Sequence, residues 1–131
     1  MEIKNVELMV FINNFSTKQR VQMKLPAVLN WALIRNVEEA TRALKAYYVQ
    51  KKELLMQFAE KEDGKPAVDE NDHFIIADEE GWNTAIRELL EKEVEICITQ
   101  VSVAELAKCD EPEFDSLNDE QIRALIFMIK Q

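Results

Sequence analysis

The chain has 131 residues, 47% hydrophobic and 31% charged, with a formal net charge of −9, a composition that fits one compact domain over 1–131 and excludes a disordered polar tract. Two glycines and three prolines leave few places for irregular chain, so most residues should lie in helices, and a parallel α/β fold is disfavoured. No run of about 18 apolar residues exists to span a bilayer, and Met1-Glu2-Ile3-Lys4 lacks the basic and apolar regions of a signal peptide, so a cytosolic protein is expected.

Met1 to Lys4 reads as an edge strand. Asn5 is placed to cap a short helix whose apolar positions Leu8, Phe11, Ile12 and Phe15 follow a 3.6-residue period. Ser16 to Lys24 carries Lys18, Arg20 and Lys24 with little apolar patterning, and reads as a loop. From Pro26, which suits a first helical turn, no breaker occurs until Gly64. The expectation is a helix of about 35 residues ending at Asp63-Gly64. Within it Leu33, Val37, Ala40, Leu44, Tyr47, Lys51, Leu54 and Phe58 alternate by four and three positions, a seam facing one partner with Lys51 as its single polar interruption. Two readings stay open: the seam packs against its own chain, or the helix is a self-association surface whose candidate face includes Trp31, Tyr48 and Lys51.

Beyond Gly64, Ala67-Val68 and His73 to Ala77 flank the turn-like Asp69-Glu70-Asn71-Asp72, a small hairpin whose Phe74, Ile75 or Ile76 must dock on a helix. Asp78 caps the next helix, Glu79 and Glu80 suit its amino-terminal dipole, and Trp82, Ile86, Leu89 and Leu90 supply a buried face. Val94, Ile96 and Ile98 alternate with Glu95, Cys97 and Thr99 as a strand that could join the hairpin in a three-stranded sheet. Ser102 with Glu105 has capping-box spacing for a short helix through Lys108. Asn118 with Gln121 repeats that spacing before Ile122, Leu125, Ile126 and Ile129, a final amphipathic helix. The fold class expected is α+β and predominantly helical: a long helix, a small antiparallel sheet of about three strands, and three or four shorter helices.

Charge is polarised along the chain. Residues 1–59 sum to +4, residues 60–95 to −9 and residues 96–131 to −4. Such an acidic surface repels duplex DNA and anionic membranes and is steered toward a basic protein, although solvation alone is a common reason for acidity. The chemistry of known sites is largely absent. Neither GxxxxGK[ST] nor GxSxG occurs, which disfavours nucleotide hydrolysis and the usual serine-hydrolase layouts. The single histidine, His73, has no neighbouring cysteine to build a zinc site. Cys97 and Cys109 are too few for a disulfide framework and read as buried or half-buried free thiols. Asp69, Asn71 and Glu80 match positions one, three and twelve of an EF-hand loop, but Phe74 stands where glycine is needed and His73 where an oxygen donor is needed. No catalytic residue, metal or cofactor is assigned, and no enzyme activity is expected.

The run LLMQFAEKEDGKPAVDENDHFIIADEEGWNTAIRELLEKEVEI, preceded by a long helix and followed by SLNDEQIRALIFMI, resembles small uncharacterised proteins of tailed phages and prophages of Gram-positive bacteria. The resemblance covers most of the chain, except the basic stretch Ser16 to Lys24 and the acidic stretch Cys109 to Ser116. It implies a phage origin and a non-enzymatic role in the host cytoplasm, and transfers no functional residues. Two functions compete on this basis. One is an accessory protein that blocks a host defence protein, such as a CRISPR nuclease, by presenting Asp69, Glu70, Asp72, Asp78, Glu79 and Glu80 to a basic surface. The other is a virion, tail or assembly component, a homo-oligomer built through its long helix.

Overall fold

In a computed structural model, which describes residues 1–130, the chain is α+β and predominantly helical. In order, it forms β1 (Glu2–Lys4), α1 (Asn5–Phe15), α2 (Thr17–Arg20), α3 (Ala27–Phe58), β2 (Lys61–Glu62), β3 (Lys65–Pro66), α4 (Glu79–Glu91), β4 (Glu93–Glu95), β5 (Val101–Ser102), α5 (Val103–Ala107), α6 (Asp119–Leu125) and β6 (Ile129–Lys130). Single 3₁₀ turns follow α5 at Lys108–Asp110 and α6 at Ile126–Met128. No helix among the described residues is long and apolar enough to cross a membrane. Two compact units result, one of Met1–Leu44 with the chain from Glu93 onward, the other of Lys45–Lys92.

The first unit is built on α1. Leu8, Phe11 and Phe15, at i, i+3 and i+7, are wholly buried, each contributing about 2–3 kcal/mol of transfer free energy. Phe11 meets Phe127 edge-on at 4.9 Å and Phe15 at 5.6 Å between ring centroids. Asn5 does not cap this helix. It is the first helical residue, buried, and Lys4 holds the cap position. The expected basic loop contains α2, closed by Arg20, whose guanidinium donates to the Phe15 carbonyl. From the amino-terminal part of α3, Leu29, Ala32, Leu33, Asn36, Ala40 and Leu44 are buried.

The strand expected around Val94 does not join the hairpin. It is short, and β4 pairs antiparallel with β1 in the register Glu2↔Glu95, Ile3↔Val94, Lys4↔Glu93. Ile96 follows, buried, its N–H donating to the Met1 carbonyl. Three residues further on, the backbone is paired with a side chain: Asn36 Nδ2 donates to the Thr99 carbonyl and Thr99 N–H donates to Asn36 Oδ1, both at 2.8 Å. Ser102 Oγ accepts the Glu105 N–H at the start of α5. Asn118 and Gln121 form a complete capping box for α6. That last helix is shorter than the apolar spacing predicts. It stops at Leu125, and Ile129 turns into β6, parallel to β5, so that Val101 and Ile129 lie opposite each other and buried. Burying Ile129 in a strand pair leaves Ile126 47% exposed.

The second unit begins with the carboxyl-terminal part of α3, which stops at Phe58 after 32 residues. Asp63 and Gly64 are not the helix end. They are the tip of the β2–β3 hairpin, with φ of 53° and 79°, because an Asp-Gly pair accepts the two positive φ values of a type I′ turn. The hairpin expected at Ala67–Ala77 is present as backbone pairing: Val68 bridges Phe74, and Asp69 N–H donates to the His73 carbonyl. Both hairpins share the segment after β3. Ala67 N–H donates to Glu60 O at 2.7 Å, Glu60 N–H to Ile75 O at 2.8 Å, and Ile75 N–H to Ala67 O at 3.0 Å. This closed ring of three hydrogen bonds ties the two hairpins to the end of α3. Ile75 and Ile76 are half-buried, whereas Phe74 is 46% exposed.

Candidate functional site

All six acidic residues singled out in the sequence lie in the second unit and are exposed. They divide into two places on the chain with different local causes. At the first, Asp69 Oδ1 accepts N–H groups from Asn71 at 2.9 Å and His73 at 3.0 Å, an Asx-turn. These hydrogen bonds, from His73 first and then Asn71, hold the Asp69 carboxyl below its ordinary range. Asp72 sits at φ 60°, a left-handed conformation that Asp tolerates better than most residues. At the second, Asp78 Oδ1 accepts Gly81 N–H at 3.0 Å and caps α4, with Glu79 and Glu80 in the first turn. The charge there complements the helix dipole. The segment from His73 to Ala77, whose Phe74 and Ile76 each form a β-bridge, connects the two places.

Asp69 and Asp78 therefore spend their carboxylates on backbone N–H groups, while Glu70, Asp72, Glu79 and Glu80 remain available for a partner. An open depression lies along α4, lined by Asp78, Glu80, Gly81, Thr84, Ala85 and Glu88. Glu88 was not singled out in the sequence. Its signal is the spacing Glu80-Thr84-Glu88, which places all three on one helical row. Gly81 is closely packed at this place: a Cβ there would lie 2.4 Å from Asp78 Oδ2 and 2.8 Å from the Phe58 ring, so those side chains would have to shift. Among the described residues no three His, Cys, Asp or Glu side chains converge to hold a metal ion.

The residues considered for self-association behave differently from one another. In the first unit Trp31 is 56% exposed, with the Arg35 guanidinium 5.1 Å above its ring. In the second unit Tyr48 is 54% exposed and packs edge-on to the buried Tyr47 at 5.2 Å. Lys51 is half-buried, its ammonium 6.0 Å from the Tyr47 ring. Burial, then the neighbouring Tyr48, raises the Tyr47 hydroxyl pKa. Along the predicted seam Leu33, Ala40, Leu44 and Tyr47 are buried, and Val37, Lys51, Leu54 and Phe58 half-buried.

The thiols also separate. Cys109 is buried as expected, but Cys97 is exposed, a correction in keeping with its place between the buried Ile96 and half-buried Ile98, on the opposite side of the chain from them. Between α1 and α6 a groove of about 290 Å³ is lined by Val6, Glu7, Val10, Glu120, Arg123, Ala124, Ile126 and Phe127. Ile126, which the helical period placed on the apolar side of the last helix, is 47% exposed and lines it. No protein-family model, no curated protein and no solved structure matches this chain.

Proposed function

We propose that this chain is a phage-encoded accessory protein that binds and inhibits a host protein, an effector of antiphage immunity such as a CRISPR nuclease, in the host cytoplasm. The observation that carries the reading is the exposure of Glu70, Asp72, Glu79 and Glu80, whose carboxylates are not spent on backbone N–H groups as those of Asp69 and Asp78 are, within a segment of charge −9 over residues 60–95. Such a surface steers encounter with a basic protein face and repels anionic ones. Inhibition is by occlusion and requires no catalytic group. The phage resemblance of the sequence supports the setting.

The experiment is affinity capture from the natural host with the full chain as bait, followed by binding measurements on the captured protein at several salt concentrations. A defence effector is expected, with affinity that falls as salt rises and falls again in a Glu70→Lys, Glu79→Lys, Glu80→Lys variant whose circular dichroism is unchanged. Unaltered affinity of that variant at low salt would remove the acidic surface as the mechanism. The second reading, self-association through α3, is favoured by the exposure of Tyr48 on that helix.

A further inference from the structure

Six of the exposed positions of α3 in the second unit form two adjacent helical rows. Lys45, Val49 and Glu53 follow at four-residue spacing, as do Tyr48, Lys52 and Met56, and such rows are the ridges by which helices interlock. All six are exposed, with Tyr48 at 54%, Val49 at 60% and Met56 at 42%. The side chains of Lys45, Lys52 and Glu53 make no hydrogen bond or ion pair among the described residues. The face thus combines an apolar centre with charged side chains that have no partner in their own chain.

The order Lys45-Val49-Glu53 is complementary to its own reverse. A two-fold axis through Val49 sets Val49 against its copy and brings each Lys45 to the other chain's Glu53. Tyr48 and Met56 then cover the flanks, with the Lys52 stem between them. We propose that this face is the interface of an antiparallel homodimer with Val49 at its centre and two symmetry-related Lys45–Glu53 ion pairs. The proposal deepens the self-association reading and gives it a register. It replaces Lys51, which lies over Tyr47, with Lys52, and it does not depend on the acidic-surface reading.

A single helix crossing is smaller than the roughly 1,600 Å² of a standard interface, so the dimer dissociates in the micromolar range. Sedimentation velocity of the full chain at low salt, across about 1–500 µM, should show a monomer–dimer equilibrium that shifts to monomer at high salt. Lys45→Glu and Glu53→Lys should each weaken dimerisation about tenfold by placing like charges together twice. The double variant should recover the original association, and Val49→Glu should abolish it. These positions are exposed, and circular dichroism checks that each variant is folded. A monomer throughout the range, a double variant no better than the singles, or a dimer indifferent to Val49→Glu would each overturn the proposal. Glu70→Lys, Glu79→Lys, Glu80→Lys should dimerise normally, so failure of host-protein binding and failure of the dimer are read separately.

Discussion

Asn36 and Thr99, 63 residues apart, hold each other by two reciprocal hydrogen bonds of 2.8 Å, the amide side chain of one meeting the backbone N–H and C=O of the other. Asn36 is 1% exposed, and its Nδ2 also lies 3.4 Å from the Met128 sulfur. An amide side chain here does the work of a neighbouring strand for one residue. Asn36→Ala should therefore leave the Thr99 backbone groups without partners and destabilise the fold by about 2–3 kcal/mol. Asn36→Asp should also destabilise, since it keeps the acceptor and loses the donor. Urea denaturation with an unchanged slope and a lowered midpoint is the expected result.

Gly81→Ala tests the close packing at the start of α4. Alanine would ordinarily favour a helix over glycine by about 1 kcal/mol. Here its Cβ must displace the capping carboxylate of Asp78 and the ring of Phe58, so the net effect should be destabilising. Asp78→Ala removes the cap alone and should cost about 1 kcal/mol. Combining the two should cost less than their sum, because both disrupt the same capping contact. Thermal melts of the three variants check this.

Asp63-Gly64 should prove sensitive at its second residue. Gly64 has φ 79° with nothing within 4 Å of a notional Cβ, so Gly64→Ala carries only the conformational cost, about 1 kcal/mol. Faster amide exchange at Glu62 and Lys65, measured by NMR, would report the loosened hairpin.

The Asp69 carboxyl is stabilised in its charged form by the N–H groups of His73 and Asn71, so its folded pKa lies below its unfolded value. Its contribution to the turn is present above the unfolded pKa and is lost as pH falls through the folded one. The NMR titration midpoint of Asp69 should therefore lie below that of the same residue in an unfolded peptide. Asp69→Ala should loosen the amides of Asn71 and His73 at neutral pH. A midpoint equal to the peptide's would refute the assignment.

The two thiols should react at very different rates. Cys97 is exposed, whereas Cys109 is 3% exposed, with a pKa raised by burial and then by Asp110. A thiol reagent at neutral pH should modify Cys97 promptly and Cys109 only on opening of the first unit. Peptide mapping after timed labelling distinguishes them.

Local chemistry made much of this fold legible in the sequence. The long helix follows from the absence of a breaker after Pro26, the cap at Asp78 from an acceptor preceding an amphipathic run, and the box at Asn118 and Gln121 from a three-residue spacing. These depend on groups within one turn of each other, so neighbours elsewhere in the chain do not alter them. The six acidic residues could likewise be named from sequence. Which of them are already engaged could not, because that depends on which backbone N–H groups the turns present.

What only the tertiary structure decided are the pairings between distant segments. Strand β4 finds β1 instead of the hairpin, Ile129 leaves a helical period to lie beside Val101, and Asp63-Gly64 turns a hairpin rather than ending a helix. Asn36 had a visible signal, a polar residue at helical spacing among Leu29, Ala32, Leu33 and Ala40, yet its partner was not readable. Short strands of two or three residues carry little pattern of their own, and each is stabilised by the groups it meets. Periodicity states which face of a segment is apolar, and only the folded chain determines what that face and its backbone are matched to.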